Sequence, residues 1–170
     1  CWIQSRLQSL CAVINGHMQS YQLHSIVFNI LDFLDDLTNT YIRLNRSRFW
    51  GDGLSNDKQQ AYQCLYDVLK RFSCIMAPFS PFLSEHVYQA FKERFPEDNP
   101  DQSIHMLRYP QAEVDKTQSS LEHAVSVMQQ IILLGRQCRN DAKIKIKTPL
   151  QALTIIHSQN EVLEAIDKAS

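Results

Sequence analysis

The chain has 170 residues, 44% of them apolar, and a formal net charge of −1. This is one ordinary domain, or a domain with part of the next, and it holds enough apolar residues to build a core, which excludes a disordered chain. The near-zero charge excludes a molecule that attracts nucleic acid through its average, so any such role has to come from local clusters.

Only four glycines and six prolines occur, which favours helices over an all-β fold. The five cysteines are Cys1, Cys11, Cys64, Cys74 and Cys138. Their odd number and the lack of a C-x-x-C pair argue against a disulfide framework or a zinc site, and fit reduced thiols in a cytoplasmic protein. No apolar run reaches the length of a membrane span, so no membrane partner is expected. The opening Cys1-Trp2 already lies inside an amphipathic pattern, without a signal peptide, and reads as part of a longer polypeptide.

A first helix is predicted over Trp2 to Ile14, where Ile3, Leu7, Leu10 and Ile14 form one apolar stripe, with Asn15-Gly16 as its stop. A longer helix follows over Gln22 to Arg48, with Ile30, Leu34, Leu37, Tyr41 and Leu44 as its stripe and Gly51-Asp52-Gly53 as the turn that ends it. The third helix begins at Ser55 or Asn56 as N-cap, turns Ala61, Leu65, Val68, Leu69, Phe72 and Met76 inward, and stops before Pro78. Ser80-Pro81 opens a fourth helix whose apolar side is Phe82, Val87, Ala90, Phe91 and Phe95. Residues 96–116, with three prolines and five acids, read as a loop containing a short extended piece at Ile104 to Leu107.

A fifth helix spans Gln118 to Asn140, and its wide apolar face (Val125, Met128, Ile131, Ile132, Leu134) implies burial on more than one side. The period then changes. Lys143-Ile144-Lys145-Ile146-Lys147 alternates like a half-buried strand, Leu153 to His157 reads as a second strand, and Asn160 caps the start of another helix. The expected fold is therefore all-α: a bundle of about five helices over 1–141, followed by the start of a small α/β unit over 142–170.

Eight of the seventeen Lys and Arg fall into two windows. Arg43, Arg46 and Arg48 lie in 43–48 without an acid; Arg136, Arg139, Lys143, Lys145 and Lys147 lie in 136–147 with Asp141 alone. At 100° per residue Asn39, Arg43 and Arg46 project opposite the Leu37-Tyr41-Leu44 stripe, whereas Arg48 falls back toward it, past the helix end or paired with an acid. Phe49 and Trp50 follow at once. Guanidinium forks beside aromatic faces suit single-stranded RNA, whose bases stack on rings while its phosphates pair with arginine. The same window also fits a solvated helix end, its cations opposing the macrodipole and pairing with Asp32, Asp35 or Asp36. The lysine alternation equally fits an edge strand protected from aggregation.

No H-E-x-x-H, glycine-rich phosphate loop or G-x-S-x-G is present, and the six histidines are scattered with no nucleophile beside them. Asp32, Asp35 and Asp36 lack the Glu-x-x-His pair that a di-metal bundle needs. No residue takes a catalytic or metal-binding role.

The run Asp35-Asp36-Leu37-Thr38-Asn39-Thr40-Tyr41-Ile42-Arg43-Leu44-Asn45-Arg46-Ser47-Arg48-Phe49-Trp50 resembles the isoleucyl-tRNA synthetase pattern D-D-L-S-N-W-Y-I-R-x-N-R-x-R-F-W. The likeness continues through Ala61 to Tyr66, Met76-Ala77-Pro78-Phe79-Ser80-Pro81-Phe82, Ser103 to Met106, and Gly135-Arg136-Gln137-Cys138-Arg139-Asn140 with Lys145 to Leu150. It covers most of the chain in order. The A-P-F-x-P-F part is shared with valyl and leucyl relatives; the N-R-x-R-F-W ending is the discriminating piece. Thr40 stands where the family has tryptophan, and Leu44 and Ser47 stand at commonly basic positions.

The resemblance implies a helical anticodon-binding domain that grips isoleucine-accepting tRNA through Asn39, Arg43, Asn45, Arg46, Arg48 and Trp50, while Tyr41 packs instead; charge clustering adds Arg136, Arg139, Asn140, Lys143, Lys145 and Lys147 as a second group. It also implies a cytoplasmic synthetase whose remaining chain is a partner and whose separate catalytic core uses ATP and magnesium, with no cofactor in this segment. The alternatives are the same domain of a valyl, leucyl or methionyl enzyme, or a helical protein-interaction module.

Overall fold

A computed structural model describes residues 1–156, with Val114 described by its backbone alone. Six α-helices dominate it: α1 (Trp2–Gln19), α2 (Leu23–Asp35), α3 (Arg46–Trp50), α4 (Asn56–Met76), α5 (Pro81–Arg94) and α6 (Ser119–Asp141). A π-helical turn, Asp36–Ile42, continues α2, and 3-10 turns lie at Ile104–Met106 and Val114–Lys116. Among the described residues there is no strand.

The first compact unit is Cys1–Thr117. Its core is the stripe expected from α1, with Ile3, Leu7, Leu10, Cys11 and Ile14 all buried, against Ile26, Ile30 and Phe33 of α2 and Ala61, Val68, Phe72 and Ile75 of α4. The Phe33 and Phe72 rings meet 5.0 Å apart, centroid to centroid. A buried phenylalanine of this kind contributes on the order of 3 kcal/mol relative to alanine.

Helix α1 runs past Asn15-Gly16, one turn beyond its expected stop. One glycine costs only about 1 kcal/mol inside a helix. The helix closes instead at Tyr21, which takes a left-handed φ of 57°. The Gln22 amide donates to the His17 carbonyl at 2.9 Å and the Tyr21 amide to that of Met18 at 3.3 Å, the paired bonds of a Schellman motif.

The long second helix is not uniform. Through Leu37 and Tyr41, both buried, the expected stripe holds; Leu44 is 61% exposed. Wider π-helical spacing over Asp36–Ile42 changes the rotation per residue, so a stripe extrapolated at 3.6 residues per turn loses phase beyond Tyr41. The hydrophobic face is taken up again by Phe49 of α3, which is buried.

Helix α4 starts where expected: Ser55 Oγ accepts from the Lys58 amide at 3.1 Å. Helix α5 has Pro81 in its first turn. Its inward face differs from expectation, since Ser84 and Tyr88 are buried while Phe82 is 91% exposed. Tyr88 is anchored by its hydroxyl, which donates to the Asp101 carbonyl at 3.2 Å. The expected extended piece at Ile104 to Leu107 is instead the 3-10 turn Ile104–Met106. Glu85 Oε2 caps it, accepting from Ser103 Oγ at 2.8 Å and the Ile104 amide at 3.0 Å.

The second compact unit begins at Gln118, so α6 is described with the residues after it rather than with the helices before it. On α6 Val127 is buried, while Leu133 and Leu134 are exposed. The strand expected over Lys143–Lys147 is corrected: these residues lie in turns and irregular backbone. Lys143 adopts a left-handed φ of 54° and closes α6 with a second Schellman pair, Ile144 amide to Arg139 carbonyl (2.8 Å) and Lys143 amide to Asn140 carbonyl (3.0 Å). Those amides are spent on the helix end, and a strand forms only with a ladder partner. Residues 152–156 carry no regular structure, so among the described residues no partner exists. His157, at the end of the second expected strand, and the helix expected from Asn160 lie outside the described residues.

Candidate nucleic-acid interface

The first basic window follows the π-helical turn and runs into α3. Asn39, Arg43, Arg46 and Trp50 are exposed, and Asn45 and Arg48 are half-buried. The outward row of Asn39, Arg43 and Arg46 expected from helical angle is thus present as exposed side chains, and Tyr41 is buried beneath it.

The acids upstream do not neutralise this row. Asp36 Oδ2 accepts from Arg6 Nε at 2.8 Å, tying the π-helical turn to α1, and Asp35 Oδ1 accepts from Asn39 Nδ2 at 2.5 Å. Among the described residues neither Arg43 nor Arg46 has a carboxylate partner. Two exposed arginines are left with their donors toward solvent. Arg46 also lies over the indole of Trp50, its guanidinium carbon 5.5 Å from the ring centroid, a cation–π arrangement that keeps ring and charge side by side.

Arg48 has a different position. Its Nε and one terminal nitrogen donate to the two carboxylate oxygens of Asp57 at 2.8 and 2.6 Å, and its other terminal nitrogen donates to Asn45 Oδ1 at 2.8 Å. The fork of the guanidinium is therefore filled, in the bidentate geometry that suits arginine and carboxylate. The hydrogen bond from Arg48 holds the Asp57 carboxyl below its ordinary range. Asn45 is fixed from the other side, where its Nδ2 donates to the Tyr41 carbonyl at 2.8 Å.

The turn after Trp50 is held by residues that the sequence reading did not single out. Lys58 Nζ donates to the Gly51 carbonyl at 2.6 Å, and the Tyr62 hydroxyl to the Phe49 carbonyl at 3.0 Å. Gly53 has a φ of 77°, and a Cβ on Gly51 would lie 3.0 Å from the Ser47 carbonyl oxygen, so both positions favour glycine. Phe49 packs edge-on against Tyr62 at 5.4 Å and against Trp50 at 6.2 Å. Trp50 is 67% exposed and yet backed by this cluster, which presents an indole face to solvent without burying it.

The Arg48 partner lies nine residues downstream, across the turn. The signal for it was an acid in the first turn of α4, where a carboxylate also opposes the positive end of the helix dipole.

In the second unit Arg136, Asn140, Lys143, Lys145 and Lys147 are exposed. Arg139 is half-buried, and one of its terminal nitrogens faces the carbonyls of Lys145, Ile146 and Thr148 at 3.3, 3.3 and 2.9 Å. It pins the segment after α6, so three lysine ammonium groups ride on a loop folded around an arginine. Among the described residues no group of His, Cys, Asp and Glu is placed to hold a metal ion, and no helix is long and apolar enough to cross a membrane.

The family model for the anticodon-binding domain of tRNA ligase matches residues 1–154. An isoleucine–tRNA ligase of Bdellovibrio bacteriovorus is 41% identical over 167 residues, 98% of this chain and 16% of the relative. The cytoplasmic isoleucine–tRNA ligase of Saccharomyces cerevisiae is 40% identical over 172 residues, again 98% of this chain and 16% of the relative. One from Chlamydia trachomatis is 39% identical over 165 residues, 97% of this chain and 15% of the relative. The chain thus spans about a sixth of the length of these relatives. It belongs to the family of anticodon-binding domains of tRNA ligases.

Proposed function

We propose that this chain binds the anticodon stem-loop of isoleucine-accepting tRNA, and that Arg43, Arg46 and Trp50 carry the grip. The observation behind this reading is the exposed Asn39, Arg43 and Arg46 set ending at an indole over which Arg46 lies. Free guanidinium donors pair with phosphates or base edges, and an exposed, backed indole offers a stacking face to an unpaired base. Arg48 and Asn45 act as positioning residues, since their polar groups are engaged within the protein. Arg136, Asn140, Lys143, Lys145 and Lys147 form a second, phosphate-facing group, with Arg139 holding the loop that carries the lysines.

The wider role is attachment of isoleucine to tRNA by a longer cytoplasmic ligase. ATP and magnesium belong in that reading to a catalytic core outside this chain. The exposed Leu23, Val27, Phe28 and Leu31 of α2 give the remainder of such a ligase an apolar surface to cover. The names and lengths of the relatives support this reading.

Titrating the chain with isoleucine-, valine-, leucine- and methionine-accepting tRNA tests it. Preference for the isoleucine acceptor is the expected outcome. A preference for another acceptor would move the assignment to that synthetase, and binding of none of them would favour a protein-interaction role.

A further inference from the structure

Two of the five cysteines meet. Cys1 Sγ and Cys64 Sγ lie 3.5 Å apart, although the residues are separated by 63 positions in the chain. Cys1, at the start of α1, is exposed, and Cys64, on α4, is half-buried. A disulfide requires sulfurs about 2.05 Å apart, so two thiols already in contact reach bonding distance by a shift of roughly 1.5 Å. The other cysteines are placed differently. Cys11 is buried with its thiol on the Pro110 carbonyl at 3.2 Å, Cys74 is half-buried, and Cys138 is exposed on α6.

The inner sulfur also adjoins the candidate interface. Tyr41 is buried on the π-helical turn in the cluster against which Cys64 packs; burial first, then the neighbouring Cys64 thiol, raises its pKa. From Cys1 to Cys64 to Tyr41, a line of contacts runs from solvent to the floor beneath Asn39 and Arg43.

We propose that Cys1 and Cys64 form a reversible redox modification site, closed to a disulfide by hydrogen peroxide. The exposed Cys1 reacts first: its thiolate sulfur attacks one peroxide oxygen, the O–O bond breaks, and the departing hydroxide takes up a proton to leave as water. Cys1 is then a sulfenic acid. The Cys64 sulfur attacks the Cys1 sulfur, the S–O bond breaks, and the departing hydroxide takes the Cys64 proton to leave as a second water. The two thiols lose two electrons and two protons in total, and one peroxide is reduced to two waters. A dithiol reductant reverses the link by exchange. The bond ties the start of α1 to α4 and closes a long loop, which restricts the unfolded chain and stabilises the folded one.

The test treats the reduced chain, at low micromolar concentration, with hydrogen peroxide, followed by alkylation and peptide mapping. The expected result is a Cys1–Cys64 linked peptide pair, two hydrogens lighter than the separate peptides, that disappears with dithiothreitol. The oxidised chain should melt higher by at least about 5 °C. Cys64→Ser should abolish the link and leave a Cys1 sulfenic acid that dimedone traps; Cys1→Ser, at an exposed site, should abolish it with the fold intact. Independent oxidation of Cys1 and Cys64 without a link in the wild-type chain overturns the proposal, as does pairing of either with another cysteine.

Discussion

Arg48 and Asp57 clasp across the Gly51–Gly53 turn, with two nitrogens of one fork on two oxygens of the other at 2.8 and 2.6 Å. The pair joins the end of α3 to the first turn of α4 and so fixes where Trp50 stands. Both groups are open to water, so the clasp contributes modestly to stability but strongly to geometry. Asp57→Asn should therefore leave the melting temperature nearly unchanged while weakening tRNA binding several-fold through loss of order at Trp50. Circular dichroism melts and a tRNA titration on the same preparation separate the two effects.

Carboxylates held by hydrogen bonds set a pH dependence. Asp57, Glu85 and Glu113 all have pKa values lowered in the folded chain. Glu113 falls to about 2, held by hydrogen bonds from Lys116 and then Arg71. A lowered folded pKa means that the stabilisation is complete above the unfolded value and is lost as pH falls through the folded one. For Glu113 that window runs from the ordinary glutamate range near 4.5 down to about 2. Melting temperature should hold steady down to about pH 5 and drop between there and pH 2. Glu113→Gln should flatten the lower part of that drop.

The phase shift at the π-helical turn has its own test. Leu44 is exposed, so Leu44→Lys should change stability by no more than about 0.5 kcal/mol. Leu37, two per cent exposed on the π-helical turn, should cost about 2–5 kcal/mol on replacement by alanine. An unbroken α-helical stripe would make the two substitutions comparably costly. On the binding side, Leu44→Lys adds a cation beside Arg43 and should strengthen tRNA affinity at low salt.

Two helix ends offer a backbone prediction. Tyr21 and Lys143 occupy left-handed φ without being glycine, a strain of roughly 1–2 kcal/mol each. Both side chains are exposed, so glycine removes little packing. After the greater entropy of an unfolded glycine is subtracted, Tyr21→Gly and Lys143→Gly should each stabilise by about 0.5–1 kcal/mol. Thermal melts of the single variants measure it. If both destabilise, those side chains make contacts that their exposure does not show.

The legibility of the fold follows the range of the forces involved. The α1 stripe of Ile3, Leu7, Leu10 and Ile14 was readable because regular helical period alone decides which side is buried. The exposure of Leu44 was not, since the π-helical turn that displaces it leaves no residue-type signature in Asp36–Ile42. The Lys143–Lys147 alternation misled for a related reason: it satisfies the geometry of a strand, but pairing depends on a partner elsewhere in the chain. At the candidate site, helical angle distinguished the outward Arg43 and Arg46 from Arg48, which it left either past the helix end or paired with an acid; the structure pairs it with Asp57. Which acid it was depended on a turn folding back through Gly53, beyond the reach of local spacing.

The central claim is that exposed Arg43 and Arg46, with Trp50, grip tRNA. It is tested most directly by the affinity of wild-type, Arg43→Ala, Arg46→Ala and Trp50→Ala chains for isoleucine-accepting tRNA, across a range of salt concentrations. Either arginine variant should bind about 10-fold more weakly or worse, the loss expected for a charge-assisted hydrogen bond. A lost phosphate contact should flatten the slope of log K against log salt by about 0.7–0.9, whereas Trp50→Ala should weaken binding with little change of slope. Unchanged affinity and slope in all three variants, with melting temperatures intact, would contradict the account.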